Sequence, residues 1–166
     1  DALREHARQQ EVAIGAAIQQ HLLMGDPPKR FPGLDVAAMT LPSRAVDGDF
    51  YDFIECSPTA LDIVIGDVMG KGVPAALLAA GSKMLIPKMY QQPDLDRPGQ
   101  VPGVERLANH LHGQLTRQLI QLNSFITLLY ARFDVLHQQL FYVNAGHVQA
   151  IHYHAASDTV GYLKGE

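Results

Sequence analysis

Two aspartates, Asp49 and Asp67, each follow a glycine and stand eighteen positions apart in the stretch "GDFYDFIECSPTALDIVIGDVMGKG", residues 48–72. Carboxylate oxygens are hard ligands that suit Mg²⁺ or Mn²⁺ better than Zn²⁺. The glycines beside them let backbone and water come close. Asp52 is near in sequence, but three positions along a strand it points to the face opposite Asp49. The segment "GDVMGKGVP" leads into a helix start, where backbone N–H groups and the helix dipole favour an anion such as phosphate. Paired carboxylates beside an anion site fit metal-assisted hydrolysis of a phosphate ester. Gly-Asp is also a common turn dipeptide, and acids at strand ends are commonly just solvated, so turn chemistry stands as the plainer reading of the pair.

The elements that must position these acids are legible in outline. "GDFYDFIEC" and "ALDIVIGDV" read as strands joined by an "SPT" turn, an antiparallel hairpin that brings Asp49 and Asp67 together. "LDVAAMTLPSRAV" reads as an earlier strand with a proline-marked break. "GKGVPAALLAAGSKMLIPKMY" turns helical, with Pro74 suited to the first turn and Pro87 expected to kink or end the helix. "QQPDLDRPGQVPG" is a surface loop. In "VERLANHLHGQLTRQLIQL", Leu107, Leu111, Leu115 and Leu119 recur every four residues and form an apolar face. "SFITLLYARFDV" and "QLFYVNAGHVQAIHYH" read as a second hairpin, and "TVGYLKGE" as the start of a further strand. Strands are grouped rather than alternating singly with helices, which predicts an α+β fold with antiparallel sheet.

Ahead of these lies "LREHARQQEVAIGAAIQQHLLM", an amphipathic helix with Leu3, Ala7, Ile14 and Ala17 on one stripe, ending before the breakers of "GDPP". It reads either as a helix packed on its own domain or as a signalling or dimerising helix. The expected division is a linker helix over 1–24 and one domain over 25–166. The chain starts at Asp1 rather than Met and ends in "YLKGE", which reads as a piece of a longer protein.

The formal net charge of −4 and the lack of a basic stripe argue against nucleic-acid binding. No apolar run reaches membrane-spanning length, so no direct membrane contact is expected. A single cysteine, Cys56, rules out an internal disulfide and fits a reducing, cytoplasmic setting. His152 and His154 alternate on one strand face near His147, a spacing that can bind Zn²⁺, but no cysteine partners them. No nucleophile elbow, P-loop or dinucleotide fingerprint occurs.

Taken together, "AAIQQHLLMGDPP", "VDGDFYDF", "IGDVMGKGVPAALLAA", "NSFITLLYARFD" and "YVNAGH", in this order, resemble the bacterial SpoIIE/RsbU-type branch of the PPM metal-dependent serine/threonine phosphatases. The resemblance runs from about Ala16 to Glu166. It implies an α/β/β/α sandwich of two antiparallel sheets between helices, with a two-metal Mn²⁺ or Mg²⁺ centre at one end. Asp49 and Asp67 would be metal ligands, Asp67 bridging both ions, and the Val68 backbone carbonyl would complete one shell. A metal-activated water would attack phosphorus in line. The substrate implied is phosphoserine or phosphothreonine on a STAS-type anti-sigma-factor antagonist. An upstream sensor or receiver domain and a homodimer are also implied, with regulation acting through the helix that follows the metal loop.

The chain departs from the family pattern. Asp47 stands where the family has Gly, and Met69 and Lys71 replace the Ser and His of "SGHG". Two further metal-binding aspartates, one in a "TDG" motif and one near the family's C-terminus, have no counterpart here, so the centre is expected to be incomplete in this chain. Two rivals follow: a catalytically incomplete phosphatase fold serving as a binding or dimerisation module, and a phosphodiesterase or nucleotide hydrolase using the same metals.

Overall fold

The computed structural model describes residues 21–41, 47–91 and 101–163, together with 5, 6, 10, 13, 14 and 17. Two nine-residue strands, β1 (Asp49–Ser57) and β2 (Ala60–Val68), form the first hairpin around the "SPT" turn. Helix α1 (Val73–Tyr90) and helix α2 (Val104–Gln121) follow, then β3 (Ile126–Asp134), β4 (Gln139–Ala145), β5 (Ile151–His154) and β6 (Thr159–Tyr162). Strands β1 to β4 build one antiparallel sheet in chain order, and β5 pairs with β6 in a separate two-stranded sheet. The α+β class with antiparallel sheet is therefore as the grouping of strands predicts.

Period-two alternation decides which residues form the core. Phe50, Val64, Val68, Leu128 and Tyr130 point to one face, where they meet Ala75, Ala79, Ile86 and Met89 of α1 and Leu107, Leu111 and Leu115 of α2. The four-residue leucine repeat is thus the buried stripe of α2. Each fully buried Leu is worth about 1.5–3 kcal/mol of transfer free energy. The opposite face carries Tyr51, Phe53, Ile63 and Ile65, which line a cavity of about 580 Å³ beneath residues 36–40.

Three expectations are corrected. Pro87 does not end its helix: α1 continues to Tyr90. The proline removes one N–H from the ladder, but Ile86 and Met89 are buried on either side of it, and that packing offsets the lost bond. Residues 35–41 form no strand, and 42–46 lie outside the described residues. A strand needs a hydrogen-bonding partner, and 36–40 lie over a sheet face rather than along an edge. Finally, "QLFYVNAGHVQAIHYH" is two strands, because the chain turns at Gly146 with φ 74°.

The described positions between 5 and 23 are helical, as the composition of that stretch predicts. Leu3 and Ala7, and residues 92–100 of the proline-rich loop, fall outside the described residues. Ile14 and Ala17, on the expected apolar stripe, are exposed, and among the described residues the first buried side chain is Leu23. No helix among the described residues is long and apolar enough to cross a membrane.

A second buried cluster ties the far end of α1 to the sheet. Asp62 is fully buried on the helix-facing side of β2 and receives Arg132 Nε and Nη2 at 2.6 and 2.7 Å. The Tyr90 hydroxyl donates to the same carboxylate and also bonds the Tyr130 hydroxyl. Burial, and then the Asp62 charge, push the neighbouring Cys56 thiol up to about 12, which makes it a poor nucleophile.

Candidate metal centre

The β1–β2 register places Asp49 directly opposite Asp67. Both belong to the sheet face turned away from the helices and open to solvent at its end. The two carboxyl groups are cross-strand neighbours, close enough for the Asp67 charge to act on Asp49. The Asp49 pKa is raised, first by desolvation, then by the Asp67 charge and a side-chain hydrogen bond with Asp67, and last by Asp47. Asp47, the departure from the family glycine, is therefore electrostatically part of this end of the sheet. Asp52 lies on the helix face, as strand alternation predicts, and faces Lys83.

The backbone closes in around the pair. Gly48 is buried against Val68, and a Cβ at position 48 would lie 2.6 Å from the Val68 carbonyl oxygen. Only glycine permits that approach. The Gly48 carbonyl accepts the Val68 N–H at 3.3 Å, and Met69 N–H donates to the Phe125 carbonyl at 2.9 Å. These bonds fix the turn that leaves β2. The chain then enters α1 at Gly72, whose helix N-terminus has Pro74 in its first turn and no side-chain cap. Its free N–H groups are the anion-favouring end expected from "GDVMGKGVP". Lys71 and Met69 are exposed on this loop.

His147, which the sequence places within the strand-like stretch "QLFYVNAGHVQAIHYH", also reaches the site. His147 lines the same cavity as Asp49 and Asp67. Its Nδ1 shares a 2.9 Å hydrogen bond with Thr127 Oγ1, and its N–H donates to Asn144 Oδ1 at 2.8 Å. Thr127 is the β3 partner of Asp67. Burial lowers the His147 pKa, and the Asp67 charge opposes that shift. The only local sign of this placement is the Gly-His step of "NAGH"; the rest depends on β3 lying beside Asp67. His152 and His154 stack with ring centroids 4.8 Å apart on the distant hairpin.

The donor set fits a hard divalent cation: two adjacent cross-strand carboxylates concentrate negative charge beside the Val68 carbonyl, against which Gly48 packs. Among the described residues no group of three or more His, Cys, Asp or Glu side chains gathers around a metal position. Replacing Asp49 by Asn removes half of the like-charge pair. A raised native pKa favours the folded state below the unfolded carboxylate pKa, and that stability is lost as pH rises through the native value. Metal-free Asp49→Asn is therefore expected to melt roughly 2–4 °C above wild type at pH 7, with the advantage shrinking as the pH is lowered into the carboxylate range. A melting series in EDTA checks this; a lower melting temperature at pH 7 would refute the repulsion.

An antiparallel sheet covered on one face by two helices is the fold shared with PP2C-domain structures. The SiaA-PP2C domain of Pseudomonas aeruginosa superposes with a TM-score of 0.71 at 18% identity, covering 99% of this chain and 63% of that one. RsbX, solved in complex with magnesium, gives 0.54 at 17% identity over 74% of this chain and 53% of its own. The chain belongs to the SpoIIE family, described as Stage II sporulation protein E (SpoIIE), which matches residues 57–166, and within the PPM phosphatases it falls in the SpoIIE/RsbU branch. Phosphoserine phosphatase RsbU of Bacillus subtilis (strain 168) is 31% identical over 149 residues, covering 90% of this chain and 41% of that protein. The chain thus spans less than half the length of this curated relative.

Proposed function

We propose that this chain is the catalytic domain of a metal-dependent serine/threonine protein phosphatase in a bacterial signalling protein. Its substrate is phosphoserine or phosphothreonine on a regulatory partner, a STAS-type anti-sigma-factor antagonist. The observation that carries this reading is the direct cross-strand opposition of Asp49 and Asp67 beside an uncapped helix N-terminus. The domain occupies 25–166, and 1–24 is a linker helix that passes input from an upstream sensor or receiver domain within a cytoplasmic homodimer.

Asp49, Asp67 and the Val68 carbonyl are the groups that would hold Mn²⁺ or Mg²⁺. When bound, these ions supply the positive charge that activates water and neutralises the phosphoryl oxygens. Asp67, on a strand hydrogen-bonded on both sides, would be the more rigidly placed ligand. The first N–H groups of α1 bind phosphate oxygens. His147, held through Nδ1 by Thr127, keeps the loop over the cavity in register with Asp67. The magnesium complex of RsbX and the name of the RsbU relative support the metal and the phosphoserine chemistry.

A second reading has an observation of its own. Only two carboxylates gather at the site among the described residues, which suits a non-catalytic phosphatase fold that binds or dimerises. The test is phosphate release from a phosphoserine STAS protein by the full-length gene product, with Mn²⁺, with Mg²⁺ and with EDTA. Release that needs metal supports the phosphatase. Tight partner binding with no turnover in either metal supports the binding module.

A further inference from the structure

We infer that Lys83 is a positioning residue that locks the end of the N-terminal helix to the strand carrying Asp49; its metal consequence rests on the phosphatase reading above. The Lys83 Nζ donates to the Leu23 carbonyl at 3.1 Å and faces Asp52 Oδ1 at 3.7 Å. Leu23 is the last position of the N-terminal helix with helical backbone. Its carbonyl is one of the terminal groups that no intrahelical N–H reaches, and a cation there also complements the helix dipole. Asp52 is three residues along β1 from Asp49. Lys83 itself stands on α1, which begins directly after the Asp67 loop. One ammonium therefore joins three elements, two of which lead to the paired carboxylates.

The surrounding backbone shows how closely these parts fit. The Gly25 N–H donates to the Tyr51 carbonyl at 2.9 Å, and Met24 forms a parallel bridge with Tyr51. A Cβ on Gly25 would lie 2.5 Å from Asp52 Oδ1 and 2.9 Å from Asp52 Cα, so only glycine lets the chain cross here. Upstream, the described helix positions from 5 to 22 are exposed, whereas Leu23 is buried. The Lys83 side chain is itself only 14% exposed. An ammonium at that depth is tolerated because a carbonyl and a carboxylate both face it. Any displacement of the N-terminal helix must therefore either break these bonds or drag Asp52, and with it Asp49.

Lys83→Met keeps the apolar stem and removes the ammonium; Lys83→Arg restores a cation that reaches both oxygens. In the full-length protein, Lys83→Met is expected to speed exchange of the Gly25 and Asp52 amides by about tenfold while the Ile65 and Leu128 amides hold. It is also expected to raise the Mn²⁺ concentration for half-saturation, read from free Mn²⁺ by EPR, by about fivefold, as loss of groups that orient a ligand does. Lys83→Arg is expected to return both within about twofold. Unchanged Gly25 exchange in Lys83→Met overturns the proposal. So does faster Gly25 exchange with unaltered Mn²⁺ affinity, which would make Lys83 merely structural. If wild type binds no Mn²⁺, the metal reading of Asp49 and Asp67 falls, and Asp52 exchange alone decides Lys83: no change there overturns it.

Discussion

Asp67→Asn in the full-length protein is expected to lower kcat/KM for metal-dependent phosphoserine hydrolysis by about 10³-fold or more, equivalent to roughly 4 kcal/mol of transition-state stabilisation. The substitution keeps the side chain's size and one carbonyl oxygen. It removes the charge that would balance a divalent cation held there. Asp67 lies on β2, paired to β1 on one side and β3 on the other, so no neighbouring residue can shift to replace it. The fold is not at risk, because the metal-free variant loses a like-charge contact. Its melting temperature in EDTA should match or exceed that of wild type. Asp49→Asn should be milder and partly rescued by excess Mn²⁺, since β1 is the edge strand and its acid contributes to one side of the pair. Retention of more than about a tenth of the wild-type kcat/KM by Asp67→Asn would remove it from the metal centre. A loss of activity accompanied by a collapse in melting temperature would show a structural role instead.

The pairing behind that prediction was legible because it is local. Two apolar runs of nine residues around a Ser-Pro-Thr turn leave few registers open, and in the one adopted the two acids face each other. Helix α2 was legible for the same reason, its leucines marking the buried stripe. What escaped depends on distant partners. Pro87 is a breaker by local rules, yet burial of Ile86 and Met89 carries the helix past it. Residues 34–41 have the composition of a strand, but no sheet edge among the described residues meets them. His147 reaches Asp67 only because Gly146 turns the chain back beside β3, where a parallel bridge joins Gly146 to Leu128. Lys83 and Leu23 are sixty residues apart in the chain. Alternation along "ALDIVIGD" does put Asp62 on the same face as Val64, so a buried acid was readable. Its counter-charge, Arg132, lies seventy residues further on and was not.

That buried pair gives the largest expected effect on folding. Arg132→Leu strands the Asp62 carboxylate in a fully buried position, and breaking such a pair costs about 3–5 kcal/mol. Against a total stability of about 5–15 kcal/mol, this is enough to leave much of the protein unfolded at moderate temperature. The Asp62→Leu/Arg132→Leu double variant should recover most of the loss, because no unpaired charge remains and leucine fills an apolar site. In this variant the Tyr90 hydroxyl loses its Asp62 acceptor and keeps only its bond with Tyr130, which leaves a residual cost. Urea denaturation of wild type, the single variant and the double variant separates the possibilities. A single variant within about 1 kcal/mol of wild type would mean that water reaches Asp62 and the cluster is not a sealed network. A double variant as unstable as the single would mean that the cluster matters for the shape it gives the α1–β2–β3 junction, and that charge pairing is secondary there. Recovery in the double variant would instead assign Asp62 and Arg132 a role in specifying how α1 seats on the sheet. The helix that follows the Asp67 loop would then be held at its far end by Tyr90, midway by Lys83 and near its start by the buried Ala75, Ala76 and Ala79.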